Sequence, residues 1–308
     1  MDLRQLEILL AIVDHGGFTA AADALHTVQS NVSGHLARLE GELGAELIDR
    51  RSGTPTPEGS IVVERARRIQ AELDAITADV HSLRDEVTGV ARIGLIGTTA
   101  RWLVPPLVEE MILRHPRVTV EVVDATTASL LLQLTSTAID LAVVTIPVEA
   151  TGVTTEPLFD EDRVLACPSD HPLARIEHPT LADLDGVPLI VEPRDRPFRE
   201  LLDQRFADEG LRLAVRAEVD GTRLVASLAF EGFGAALLPA SAVSNRPDLG
   251  WHVAHFDGLP RRSVGVATRR QGLLSAPALA LATVLRDVVA QRAPDQPGVH
   301  PHHPIDDR

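Results

Sequence analysis

Between Asp23 and Glu40 the chain places Gln29, Ser30, Asn31, Ser33, His35 and Arg38 with no carboxylate among them. Such side chains donate and accept hydrogen bonds, and at helical spacing they suit the edges of base pairs in a major groove and the flanking phosphates. Arg50 and Arg51 follow shortly after. A second group is made of hydroxyls: Thr98 and Thr99, Thr126 and Thr127, Thr145, and Thr222. Most follow an apolar run and open a helical pattern, where free N–H groups and the helix dipole favour an anion or carboxylate. Any one of these threonines also reads as a helix cap, and the set argues for a pocket better than any member does. Arg101, Arg194, Arg196 and Arg199 fall near the same segments, and one of them can clamp a carboxylate bidentately, although their positions do not choose among them.

Other chemistry is poorly supported. Cys167 is the only cysteine, which excludes an internal disulfide and a cysteine-cluster zinc site and reads as a buried thiol. The tail histidines His300, His302 and His303 lie in a Pro-rich polar stretch without a preorganised geometry, so no metal site is expected. The chain has no Gly-x-Ser-x-Gly, no phosphate-binding Gly-x-x-x-x-Gly-Lys and no His-Glu-x-x-His. Neither catalytic residues nor a cofactor are expected, although α/β lobes host many enzymes.

The elements that position these residues follow from periodicity. Three short helical patterns, Leu3–His15, Phe18–Leu25 and Ser30–Leu43, are separated by Gly16-Gly17 and by His26-Thr27-Val28. Ala20, Ala21, Ala22 and Ala24 make the second pattern thin enough for another helix to cross it closely. Over residues 58–87, Val62, Ala66, Ile69, Leu73, Ile76, Val80, Leu83 and Val87 alternate at spacings of four and three, a heptad seam that calls for a partner helix. Strand and helix patterns then alternate. The first set is Val90–Ile96, a helix from Ala100, Val118–Val123, a helix from Ala128 and Leu141–Thr145. The second is Val164–Cys167, Leu189–Val191, a helix over Phe198–Gly210, Ala214–Val219, a helix over Thr222–Phe230, Ala235–Leu238, Val264–Ala267 and a last helix near Pro277–Gln291. Two similar α/β lobes are the natural product.

The composition is that of a globular chain, with 44% hydrophobic and 24% charged residues in 308. Every basic residue is arginine, and the net charge of −15 opposes non-specific coating of nucleic acid. Residues 1–60 alone carry four arginines against nine carboxylates. Exposed charges further than about 8 Å from a contact are largely screened at physiological salt, so the acid-free stretch counts for more than the sum. The N-terminus lacks the basic start and small-residue cleavage site of a signal peptide, and a cytoplasmic protein without a membrane segment is expected.

The stretch from Phe18 to Gly59 resembles the winged helix-turn-helix of LysR-type transcriptional regulators. The alanine-rich first helix, Val28-Gln29-Ser30-Asn31-Val32-Ser33, the Leu36-x-x-Leu39-Glu40-x-x-Leu43-Gly44 step and Thr56-Pro57-Glu58-Gly59 carry the likeness. Chain length, heptad helix and α/β lobes extend it to about residue 292.

The resemblance implies an α+β multidomain chain. A winged helix-turn-helix would occupy residues 1–58, a dimerising linker helix 59–88, and a two-lobed, periplasmic-binding-protein-like α/β effector domain 89–292, with a disordered tail over 293–308. It also implies a sequence-specific DNA-binding regulator, homodimeric or homotetrameric, bound to an imperfect palindrome and acting with RNA polymerase. A small-molecule effector, a small carboxylate on the evidence of the threonines, would lie between the lobes. Gln29, Ser33 and His35 would reach bases, Ser30, Asn31 and Arg38 phosphates, and Arg50 or Arg51 the backbone or minor groove. Gly34 stands where the family most often has arginine, which implies weaker or altered DNA contact. The alternative is a cytoplasmic small-anion-binding protein with no gene-regulatory role.

Overall fold

A computed structural model describes residues 1–82, 86–243 and 250–302. The first helix, α1 (Leu3–His15), begins in a capping box: Asp2 Oδ1 accepts from the Gln5 N–H and Gln5 Oε1 from the Asp2 N–H, both at 2.8 Å. It stops at Gly16, whose φ of 75° lies in the left-handed region. Helices α2 (Phe18–Ala24) and α3 (Gln29–Leu43) follow, and α3 stops in the same way at Gly44, φ 68°. Ala21 and Ala22 are buried against the neighbouring helices, and Leu6, Ile8, Leu9, Ile12, Val32, Leu36 and Leu39 complete the core of this unit. The wing is a short hairpin closed by an antiparallel bridge between Ile48 and Pro55.

Helix α4 (Pro57–Ser82) starts against the wing, and Gly59 is the reason it can. A Cβ there would lie 1.8 Å from the Leu47 carbonyl oxygen, so any larger residue forces the two apart. The heptad positions divide. Val62 and Ala66, with Val63, pack on the helix-turn-helix core, whereas Ile69, Ile76 and Val80 are 38%, 60% and 51% exposed. The expected seam is thus shortened at its N-terminal end, where the helix must anchor its own domain. Leu83 lies outside the described residues, and Val87 lies beyond the helix in the approach to the first strand.

Two lobes follow. The first contains β1 (Gly89–Leu95), α5 (Gly97–Arg114), β2 (Val118–Asp124), α6 (Thr127–Thr135), β3 (Leu141–Ile146) and β4 (Val153–Glu161). The second contains β5 (Arg163–Pro168), β6 (Pro188–Val191), α7 (Pro197–Asp208), β7 (Ala214–Glu218), α8 (Thr222–Phe230), β8 (Ala236–Pro239) and β9 (Trp251–His255). The chain returns to the first lobe with β10 (Arg262–Arg269), α9 (Ala276–Arg292) and β11 (Val299–Pro301). The first sheet runs β11-β4-β10-β3-β1-β2, with β1 parallel to β2 and β3, and β10 antiparallel to both its neighbours. In the second lobe β6 and β7 are parallel, β5 pairs antiparallel with β8 and β9, and a Leu189–Ala235 bridge connects the two groups.

Three departures from the sequence pattern have identifiable physical causes. Strand β4, absent from the sequence pattern, contains Pro157, which sits opposite a register shift at Val264/Gly265, where a missing N–H is tolerated. Gly265 allows the close approach, since a Cβ there would fall 2.6 Å from the Glu156 carbonyl oxygen. Helix α5 begins at Gly97, three residues before Ala100, directly after extended Ile96. The tail, expected to be disordered from residue 293, makes a 3-10 turn at Ala293–Asp295 and then adds β11 to the edge of β4. There His300 Nε2 lies 3.0 Å from Asp162 Oδ2 and His302 Nε2 3.1 Å from Asp160 Oδ2. Edge pairing and these contacts supply what a Pro-rich composition lacks; His303 lies outside the described residues.

Candidate functional site

The outer face of α3 is the first candidate. Val32, Leu36 and Leu39 face the core, which turns Ser30, Gly34 and Arg38 outward. The residue before the helix is Val28, which has no side-chain acceptor, so no side chain caps the start of α3; the Asn31 N–H donates to the Val28 carbonyl at 2.9 Å, and those of Gln29 and Ser30 stay open to an anion. Sequence reasoning placed that role on Ser30 or Asn31; both lie inside the first turn, and the Asn31 amide donates back to Thr27 Oγ1 at 3.0 Å. Gln29, Ser30, Asn31 and Arg38 are exposed, whereas Ser33 and His35 are half-buried, with His35 Nδ1 enclosed. Arg38 Nε donates to the Gly34 carbonyl at 3.2 Å, and a Cβ on Gly34 would meet nothing within 4 Å.

The wing arginines differ. Arg50 Nη2 is 3.0 Å from Glu40 Oε2, and the guanidinium carbon stands 5.9 Å from the centre of the Phe18 ring. Glu40 also accepts from the Leu47 N–H at 2.9 Å, so one carboxylate ties α3, the wing and Arg50 together. Arg51 is exposed with no ion pair among the described residues, which leaves it the freer of the two.

The second candidate lies between the lobes, a cavity of ≈ 980 Å³ bounded by the starts of α5, α6, α7 and α8 and by the two crossings. Thr98, Thr126, Thr127, Thr145 and Thr222 all line it, so the structure gathers five of the six expected threonines. Thr99 does not: it is wholly buried behind Thr98, because successive residues of a helix start point about 100° apart. The hydroxyls are already engaged. Thr98 Oγ1 accepts from Arg262 Nη2 at 2.7 Å, Thr126 Oγ1 from the Ser129 N–H, Thr127 Oγ1 from the Thr145 N–H at 3.3 Å, and the Thr222 hydroxyl donates to Glu192. They act as a framework as well as a lining. No side chain caps α5 or α8, whose preceding residues are Ile96 and Gly221.

The four arginines singled out by position are mostly occupied. Arg101 donates to the Ser241 carbonyl at 2.9 Å and does not line the cavity, Arg196 Nη2 lies 2.8 Å from both carboxylate oxygens of Asp220, and Arg194 is 79% exposed. Arg199 is 1% exposed and donates to Asp203, Glu218 and the Glu192 carbonyl. Sequence reasoning missed Arg163, the first residue of β5. It is buried at 9% exposure, lines the cavity, and holds its guanidinium carbon 3.8 Å from the centre of the Phe198 ring. Burial pushes its pKa down to about 9, helped by Arg262 and opposed by Glu161 and Glu192, so it remains a cation at neutral pH. Only its place at the lobe crossing, between two acids and an apolar strand, hinted at it in the sequence.

Contacts between the lobes frame the cavity. Glu161, wholly buried, accepts from the Ser241 N–H at 2.9 Å and from Arg262 Nε at 2.7 Å. Across the opening, Arg223 of α8 pairs with Asp124 at the end of β2 at 2.7 Å, passing over Gly97, where a Cβ would lie 2.6 Å from Arg223 Nε. Cys167 sits in β5 with no exposure, its thiol pushed up to about 11 by burial and by Asp170.

Comparison with known proteins gives two family matches: "Bacterial regulatory helix-turn-helix protein, lysR family" over residues 3–60 and "LysR substrate binding domain" over residues 84–290. A probable hydrogen peroxide-inducible genes activator of Mycobacterium leprae is 34% identical over 297 residues, covering 92% of this chain and 93% of that protein. The DNA-binding transcriptional dual regulator OxyR of Escherichia coli is 29% identical over 273 residues, 87% of this chain and 90% of that one. Full-length OxyR of Pseudomonas aeruginosa, in a cysteine-substituted form, superposes with a TM-score of 0.74 at 23% identity over 94% of each chain. The LysR family regulator CbnR, solved with its target DNA, superposes at 0.69 with 23% identity over 95% of this chain and 100% of that one.

Proposed function

The chain belongs to the LysR family of bacterial transcriptional regulators, DNA-binding proteins with an effector domain, and from that premise we propose how its parts divide the work. Residues 1–58 bind double-stranded DNA through α3, with Gln29, Ser30, Asn31, Ser33, His35 and Arg38 in the groove and Arg51, more than Arg50, at the flanking backbone. The stripe of exposed Ile69, Ile76 and Val80 with half-buried Leu73 is covered by the same helix of a second chain, giving a homodimer on an imperfect palindrome, with tetramers formed by further pairing. Residues 89–292 take a small-molecule effector between the lobes, and its binding changes the lobe-bridging contacts and so the spacing of the two α3 helices and the contact with RNA polymerase. No catalytic step is assigned, and a cytoplasmic location fits a regulator whose described residues include no helix long and apolar enough to cross a membrane.

The observation that carries this reading is one chain holding both an α3 with an uncapped start and polar outer face and an inter-lobe cavity spanned by Arg223–Asp124 and Ser241–Glu161. Several relatives are named for hydrogen peroxide. Thiol sensing needs an accessible thiolate, and the sole cysteine here is buried with its thiol held high, which favours a reversibly bound effector instead. The test is selection of duplexes from a random pool, followed by anisotropy titration of the full chain on the selected duplex and a scrambled one. Replacing Gln29, Ser33 and His35 with alanine should lower discrimination between the two. An unchanged ratio removes them from the contact set.

A further inference from the structure

The cations around the inter-lobe cavity are nearly all spoken for. Arg196 pairs with Asp220, Arg199 with Asp203 and Glu218, Arg223 with Asp124, Arg261 with Asp162 and Arg262 with Glu161. Arg163 alone among them has no ion pair within the described residues, and its Nε is enclosed without an acceptor. The Phe198 ring covers its guanidinium and removes water from it without supplying an opposite charge. Burying an unpaired cation costs several kcal/mol in general, so a fold that keeps one in the wall of a cavity gains most from a ligand that brings the missing anion.

The remaining lining narrows the ligand. Leu131, Ile146, Leu201 and Val225 give the cavity an apolar interior, and ≈ 980 Å³ is far more than acetate or phosphate fills. Glu149 and Glu192 also line it without a cationic partner among the described residues, so a second negative charge on the ligand would meet repulsion.

We infer that Arg163 is the anion receptor of the cleft and that the effector is a monocarboxylate with an apolar body, its carboxylate against the Arg163 guanidinium and its body among these apolar side chains. The inference rests on reading the cleft as the effector site. It adds both the residue that recognises the charge and the exclusion of dianions.

Calorimetric titration of the full chain with hexanoate, phenylacetate, hexanamide, succinate and inorganic phosphate tests it, beside thermal unfolding of wild type, Arg163→Met and Arg163→Lys. Saturable binding of the two monocarboxylates is expected, with hexanamide, succinate and phosphate each at least ~30-fold weaker, as loss of one buried charge partner generally costs. R163M should lose monocarboxylate binding by a similar factor while unfolding at a higher temperature without ligand, because the unpaired charge is gone. R163K should fall between, retaining the charge without the planar fork. A merely structural arginine would give the opposite thermal shift. Monocarboxylate binding that survives in R163M but is lost in Thr127→Ala or Thr222→Ala overturns the role of Arg163 and leaves the cleft reading standing. Tighter binding of succinate or phosphate overturns the ligand class, as does absence of saturation by either monocarboxylate at millimolar concentration; binding to the selected duplex then still reports on the regulator reading by itself.

Discussion

Replacing Gly34 with arginine should strengthen DNA binding in a way that separates charge from helix stability. Gly34 lies in the interior of α3 on its outward face, with helical backbone and nothing within 4 Å of the Cβ it lacks. Glycine in an exposed helix interior costs about 0.8–1.0 kcal/mol relative to alanine, and arginine is close to alanine, so both Gly34→Ala and Gly34→Arg should stabilise the N-terminal unit by nearly that amount. Only the arginine adds a cation. One new phosphate contact per chain is two per dimer, and each steepens the dependence of log K on log salt by about 0.9, so the slope should grow by about 1.8. If the added contacts vanish at 1 M salt, the same relation makes the dimer about 60-fold tighter at 0.1 M. Anisotropy titrations across a salt series with wild type, G34A and G34R on the selected duplex measure this directly. Should G34R gain stability like G34A yet keep the wild-type slope, the outward face of α3 at this position does not approach phosphate, and the docking derived for the helix is wrong.

Ile69→Asp with Ile76→Asp should yield monomers in sedimentation and weaken operator binding sharply, since two charges would enter the uncovered stripe of α4; an unchanged oligomer would place the interface elsewhere. Gly59→Ala should destabilise the N-terminal unit by about 1–3 kcal/mol in denaturant unfolding, because the wing and α4 must separate to admit the methyl group. The tail should be acid-labile. Burial raises the pKa of Asp160 and Asp162, but the Ser263 hydroxyl and the nearby His302 for the first, and the nearby His300 and Arg261 for the second, hold both carboxyls below their usual range. Their contribution is then fully present above the unfolded aspartate value of about 3.9 and is lost as the pH falls through the lower folded values. Hydrogen exchange of Val299–Pro301 should accelerate below about pH 4 in wild type. It should be fast already at neutral pH in a His300→Ala/His302→Ala variant, and equal protection in the two would show that β11 is held by backbone pairing alone.

Local chemistry made much of the N-terminal unit readable in advance. The ends of α1 and α3 are set by Gly16 and Gly44 a residue beyond each helix, and the core stripe Val32-Leu36-Leu39 follows from spacing alone. The threonine set was legible for the same reason, because a helix start after a strand is a local event, and five of its six members line one cavity. The missed strands β4, β9 and β11 depend on partners far along the chain: Pro157 is tolerable only opposite the irregular register of β10, β9 pairs with β5, and β11 forms only on the free edge that β4 offers. The heptad seam was readable as a period, yet that Val62 and Ala66 serve their own domain while Ile76 and Val80 stay exposed was settled by where α1 and the wing come to rest. The choice among arginines was likewise tertiary. Every guanidinium carries the same charge in sequence, and which one lacks an ion pair among the described residues depends on Asp124, Glu161, Glu218 and Asp220 reaching Arg223, Arg262, Arg199 and Arg196, which leaves Arg163 stacked over Phe198.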